Sequence, residues 1–190
     1  MTNKNFFTLF LFIIVLLTSV HTNSQGFNSI FSKNGSDVIA VGAGGSIFRS
    51  WTGGTSWGTY PLGSADLNSF QALGTYIWIV GNNGTYYYSS NDGVNWNSQT
   101  LAGGQNLKSV SFFDQNTGLI TGDNGTILKT INSGANWTVQ ISPVSAGFKS
   151  VKFISSTEAV ACGTAGNVIY TTNGGTNWLQ YTTPTTKDLL

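Results

Sequence analysis

Seven acids, one arginine, one cysteine and one histidine are the residues of this 190-residue chain whose side chains could most directly carry catalysis or hold a metal. Hydrolysis of a glycosidic bond needs two carboxyl groups held several ångströms apart. The acids, Asp37, Asp66, Asp92, Asp114, Asp123, Glu158 and Asp188, are scattered singly. Asp37 and Glu158 share one spacing, five residues before a Gly-x-x-Gly, and form the best available acid pair. Asp92, Asp114 and Asp123 do not reproduce the alternating acids and terminal Glu of a calcium loop. His21 lies in or beside a leader segment, so the mature chain lacks the commonest general base and metal ligand. The many serines and threonines have no base to activate them. Cys162 can form no internal disulfide and, standing in a strand-like run, is expected to pack as a small hydrophobe. The expectation is a protein that is not an enzyme, with no catalytic residue, no metal site and no cofactor.

The elements that would have to position any of these groups begin after the leader. Lys4 precedes an apolar run, Phe6 to Val20, which is shorter than the roughly 20 residues of a spanning helix. Thr22 and Ser24 supply small residues before a cleavage point at Gln25. Residues 1–24 therefore read as a signal peptide, and residues 25–190 as a secreted or cell-envelope protein with no membrane span after cleavage. Charged residues are only 8% of the chain, and Arg49 is its single arginine. Phosphate recognition needs clustered Lys and Arg, so nucleic acid is excluded as an expected partner.

Trp57, Trp96, Trp137 and Trp178 are spaced 39, 41 and 41 residues apart and divide the mature chain into units 27–66, 67–106, 107–147 and 148–188. Leu189 and Leu190 fall where a fifth unit would begin, which leads to the expectation of an arc cut from a longer protein. A period near forty is the signature of stacked units such as propeller blades. Fifteen residues before each tryptophan a Gly-x-x-Gly begins, at Gly42, Gly81, Gly122 and Gly163. Three residues before each stands Gly54, Gly93, Gly134 or Gly175. Each unit reads as four short strands, because β-branched and aromatic runs alternate with Gly, Asn, Ser and Thr clusters. In the third unit the strands are placed at Lys108 to Phe113, Gly118 to Thr121, Thr126 to Thr130 and Trp137 to Ile141. The Gly-x-x-Gly would supply positive φ for a tight hairpin. Asn91, Asn132 and Asn173 would close the following turn by accepting from amides two or three residues on.

Adjacent apolar pairs, Ile47-Phe48, Tyr86-Tyr87, Ile127-Leu128 and Val168-Ile169, point to opposite faces of a strand, so both faces of each sheet seek burial. The reading is an all-β fold of four four-stranded blades of a β-propeller, an open arc or a small closed ring, with the four tryptophans packed between blades. In a closed ring, Asp37 and Glu158 would lie on adjacent blades.

The phrases SNDGVNW, INSGANW and TNGGTNW, ending at Trp96, Trp137 and Trp178, resemble the Asp-box, or BNR repeat, between the third and fourth strands of propeller blades. SWTGGTSW places Thr52 where the family has Asp or Asn. With the Gly-x-x-Gly-x-Ile phrase, the pattern looks most like the photosystem II stability and assembly factor-like repeats, across essentially the whole mature chain. That resemblance implies a propeller, and its photosystem members are non-enzymatic and bind nascent polypeptides. Sialidases with such repeats hold substrate with several arginines, which one arginine cannot do.

Binding is the function left. Core positions repeat, so aromatics that break the pattern are the expected contacts: Trp51, Tyr60, Tyr88 and Tyr181. The expected partner is a protein or glycan surface, with further blades, in the same chain or another copy, as additional neighbours. The second reading is the N-terminal part of an Asp-box glycoside hydrolase.

Overall fold

The computed structural model describes residues 26–189. The leader expected at residues 1–24 lies outside them. The described residues form four antiparallel sheets of four strands, each a meander in chain order. The first is β1 (Phe27–Ser32), β2 (Val38–Gly42), β3 (Ser46–Ser50) and β4 (Gly58–Pro61). The second is β5 (Leu67–Leu73), β6 (Tyr76–Gly81), β7 (Thr85–Ser89) and β8 (Asn97–Thr100). The third is β9 (Leu107–Phe112), β10 (Gly118–Gly122), β11 (Ile127–Thr130) and β12 (Thr138–Val139). The fourth is β13 (Phe148–Phe153), β14 (Ala159–Gly163), β15 (Val168–Thr171) and β16 (Leu179–Tyr181). The expected blades are present, and the expected strands of the third unit agree with β9 to β12 except that the fourth ends at Val139.

Burial falls from the second strand of each blade to the fourth. Ile77, Trp78, Ile79 and Val80 of β6 are almost wholly buried, whereas β8 and β16 are exposed along their length. Consecutive blades are glued face to face by three apolar clusters. Ile39, Val41 and Ile47 of the first blade meet Phe70, Ala72 and Ile79 of the second. Trp78, Val80 and Tyr86 meet Val110, Phe112 and Ile120. Leu119 and Ile127 meet Val151, Phe153 and Ile169. Polar side chains lace the inner strands together between blades. Gln71 accepts from the Phe112 amide at 2.7 Å and donates to the Phe112 carbonyl at 3.0 Å. Ser109 and Ser111 accept from the amides of Val151 and Phe153.

The array is open. No strand of the fourth sheet pairs with the first among the described residues, and no apolar cluster joins those two blades. The tryptophans record the direction of stacking: Trp96 packs on the cluster between blades one and two, Trp137 on the next, and Trp178 on the third. Each leans on the blade before its own. Among the described residues Trp57 has no such neighbour and is 43% exposed, so inter-blade packing holds for three of the four.

The Gly-x-x-Gly loops need their two glycines for different reasons. The second does supply positive φ, at Gly45, Gly84, Gly125 and Gly166, together with the residue before it. The first is extended, with φ of −170° at Gly42 and −156° at Gly81. It is glycine because a Cβ at Gly81 would stand 2.2 Å from the Asp66 carbonyl oxygen, and at Gly122 2.2 Å from that of Asn106. The expected role in positive φ is thus corrected for the first glycine: the chain entering the blade's inner strand crosses too close for a side chain. Asp66 and Asp188 serve these loops, accepting from the amides of Gly44 and Ala165.

In the tryptophan turn the asparagines accept from the amide four residues on, at 2.9 Å for Asn91, 3.0 Å for Asn132 and 2.9 Å for Asn173. The reach is longer than the two or three residues expected, because two consecutive residues of positive φ, such as Asp92 and Gly93, coil the chain back. Thr52 makes the same bond to Ser56 at 2.9 Å.

Candidate binding cleft between the first two blades

At the outer rim of each junction, the end of one blade's third strand faces the tryptophan turn of the next. Between blades one and two this leaves a cleft of about 350 Å³. Ile39, Ile47 and Ile77 form its floor, Trp51 and Tyr60 one wall, and Val94 and Trp96 the other. Trp51 is 55% exposed and meets Tyr60 edge to face at 6.1 Å.

Arg49 crosses the base of the cleft and ties the blades together. Its Nε donates to Asp37 Oδ1 at 2.8 Å and its Nη2 to Asp37 Oδ2 at 2.7 Å, a bidentate grip. Nη2 also donates to Asp92 Oδ2 at 3.0 Å, and Nη1 to the Asp92 carbonyl at 2.6 Å, both on the second blade. Lys33 Nζ donates to the other oxygen of Asp92 and stands 3.9 Å from Asp37. The guanidinium lies 5.2 Å from the centre of the Trp51 ring, which its charge attracts. Its hydrogen bonds with Asp37, opposed by burial, hold Arg49 more firmly protonated than usual. Burial works against ionisation of Asp92, yet the bonds from Lys33 and Arg49 outweigh it and hold the carboxyl below its ordinary value. Two cations and two anions are thus paired with one another, and what the cleft offers is apolar and aromatic surface.

The other two junctions show what makes this one distinctive. Between blades two and three, the larger Trp78 and Tyr86 occupy the places of Ile39 and Ile47. Trp78 stacks on Phe112, the Tyr86 hydroxyl donates to the Gly134 carbonyl at 3.0 Å, and Gln99 bridges to Ala135 at 3.2 Å. That groove is filled. Between blades three and four a groove of about 340 Å³ remains, but Lys129, Ile131 and Gln140 replace Arg49, Trp51 and Tyr60 there. It has no aromatic wall.

Two of the four aromatics expected to make contacts, Trp51 and Tyr60, come together in the cleft. Tyr88 packs half-buried against Tyr86 in the second junction, and Tyr181 lies 60% exposed on the last strand. The Arg49–Asp37–Asp92 bridge was not expected from the sequence. Its signal was the sole arginine at a position held elsewhere by Tyr88, Lys129 and Tyr170. The acid pair of Asp37 and Glu158 is corrected: Asp37 is bound to Arg49, Glu158 closes its own turn with Ser155, and among the described residues no apolar cluster joins blades one and four. Among the described residues, no three His, Cys, Asp or Glu side chains gather as a metal site would require.

A sequence model of the family described as photosynthesis system II assembly factor YCF48 matches residues 62–131. No curated protein sequence matches the chain. Among solved structures, YCF48 bound to a D1 peptide is similar with a TM-score of 0.69 and 18% identity, over 85% of this chain and 54% of that one. YCF48 from Cyanidioschyzon merolae is similar with a TM-score of 0.67 and 17% identity, over 85% and 57%. An ancestral GH74 enzyme follows with 0.71 and 18%, over 85% of this chain and 26% of its own. The chain spans about half the length of the YCF48 structures it resembles. Its repeats are BNR-type β-propeller repeats.

Proposed function

We propose that this chain is an exported, non-enzymatic propeller module that binds a partner polypeptide by taking an apolar or aromatic side chain into the cleft between its first two blades. The observation that carries the proposal is the exposed Trp51 and Tyr60 wall over a base whose charges are already paired. A large aromatic anchor in a concave apolar site is the usual centre of a protein contact. The solved YCF48 structure with a peptide adds support by fold analogy, and that peptide is a fact about YCF48 alone.

A non-catalytic role is supported by the engagement of the acids. Asp37 and Asp92 are held by Arg49 and Lys33, Asp114 accepts from the amides of Asn116 and Thr117, Asp123 accepts from Asn106, and Glu158 Oε2 accepts from the Ser155 hydroxyl at 3.4 Å.

The test is selection from a random peptide display library on the mature protein, followed by titration against Trp51→Ala/Tyr60→Ala. The expected result is enrichment of peptides with an aromatic or large aliphatic residue, bound at least about ten-fold more weakly by the double variant, or roughly 1.4 kcal/mol. Equal binding by both proteins rejects the cleft. Cleavage of a β-glucan oligosaccharide by the mature protein rejects the non-enzymatic reading.

A further inference from the structure

Among the described residues, the first and fourth blades each leave uncovered a face of the kind that the three junctions bury. Three times over, a blade presents one face to the blade that follows it and the opposite face to the blade before it. The fourth blade's following face carries Val160, Cys162, Val168 and Tyr170, at the positions of Ile39, Val41, Ile47 and Arg49, and all four are only partly buried. The first blade's preceding face carries Ile30, 65% exposed, and Phe48, partly buried, at the positions of Phe70 and Tyr87. Trp57, whose three counterparts lean on the preceding blade, is 43% exposed.

We propose that the free face of the fourth blade docks, head to tail, on the free first-blade face of a second copy of this chain. The occupant is inferred from continuity with the three existing junctions. Both faces are aliphatic and aromatic where those junctions are. Lys152, exposed on the inner strand of the fourth blade, occupies the place from which Gln71 donates to a carbonyl of the next inner strand. It supplies a donor toward β1 of the second copy.

Two copies that each use both faces close into a ring of eight blades, within the range of four to eight that propellers adopt. Such a contact is heterologous, and it is satisfied only where the ring closes. The junction also completes a site that neither copy holds alone. Tyr181 stands where Tyr60 walls the first cleft, and Trp57 of the second copy stands where Trp96 forms the other wall. The docked pair therefore gains two more aromatic grooves, flanked by Tyr170 in place of the Arg49 bridge.

The experiment is sedimentation velocity on the mature protein from about 1 to about 200 µM, where mass action reveals a weak dimer. It compares wild type with Ile30→Asp, on one face, and Tyr181→Asp, on the other, both at exposed positions. Ile30→Ser and Tyr170→Ser serve as milder variants, and near-ultraviolet circular dichroism reports native packing in each. The expected result is a wild-type particle of two chains, monomers for either variant alone, and a dimer in the equimolar mixture, since each variant keeps the face the other lacks. That mixed dimer has one junction instead of two and is roughly ten-fold or more weaker than wild type. A wild-type monomer at the highest concentration overturns the proposal. So does loss of association by only one of the two variants, which marks a symmetric contact of like faces, and so does a mixture that stays monomeric.

Discussion

Arg49 is the residue on which the first junction turns, and its two partners differ in depth. The Asp37 side chain is 12% exposed and that of Asp92 38%. Asp37→Ala leaves a shielded guanidinium without its bidentate partner, and chemical denaturation is expected to show a loss of about 2 to 4 kcal/mol. Asp92→Asn, nearer water, is expected to cost about 1 kcal/mol at neutral pH. The sign of its pH dependence follows from the depressed carboxyl. A group whose folded-state value lies below its unfolded value of about 3.9 stabilises fully above that value and stops doing so as the pH falls through the folded one. Urea titrations from neutrality to pH 3 should therefore show the gap between wild type and Asp92→Asn closing in acid. A gap that stays constant would mean that the ion pair contributes nothing. By contrast Trp51→Ala, at a 55% exposed side chain, should change stability by no more than about 0.5 kcal/mol, so any loss of peptide binding belongs to the cleft.

The tryptophan turn is the element that repeats best in sequence and differs most in surroundings. Gly54 and Gly134 occupy the same place with φ of +96° and +84°. A Cβ at Gly54 would meet only the Trp57 ring, at 3.8 Å, but at Gly134 it would meet the Tyr86 hydroxyl at 2.0 Å and Trp78 at 3.1 Å. Gly54→Ala is expected to cost about 1 to 2 kcal/mol, for the left-handed backbone alone. Gly134→Ala should cost at least about 2 kcal/mol more, because the turn must move off the stacked rings of the second junction. Tyr86→Phe removes both the clashing oxygen and a buried hydrogen bond, so the double variant Gly134→Ala/Tyr86→Phe should be more stable than the sum of the single losses. Strict additivity in thermal melts would place the strain elsewhere. The turn itself was legible in the chain, down to the asparagines and the left-handed glycines, since local bonds and a period announce it. Its reach of four residues was not, because it follows from two consecutive residues of positive φ rather than from any spacing; nor was the reason for the first glycine of the Gly-x-x-Gly, which depends on where a distant segment crosses. The same limit explains the site. Trp51 and Tyr60 stood out by breaking the pattern, whereas Asp92 became Arg49's partner only through the stacking of one blade on another.

For the molecule as a whole, the repeat made the blades readable and the contrast among junctions unreadable. Whether a groove stays open depends on the summed volume of residues from two units, as Trp78 and Tyr86 against Ile39 and Ile47 show. Export is tested at this scale too. Expression of the full chain in a secreting host should release a protein whose intact mass begins at Gln25, and retention of residues 1–24 would count against a cleaved leader.

The backward lean of the tryptophans gives the array a temporal order. Trp96, Trp137 and Trp178 each come near the end of their own unit and rest on a blade that a ribosome has already finished. A chain emerging N-terminus first thus always lays its newest blade on a completed template, and domains synthesised in that order fold unit by unit. Some earlier groups still wait for later partners, Arg49 for Asp92 and Gln71 for Phe112, but the tryptophan of each new unit finds its support already made. Among the described residues the first blade has no earlier blade beneath it, so its face toward the second is the surface on which the later blades are aligned in turn.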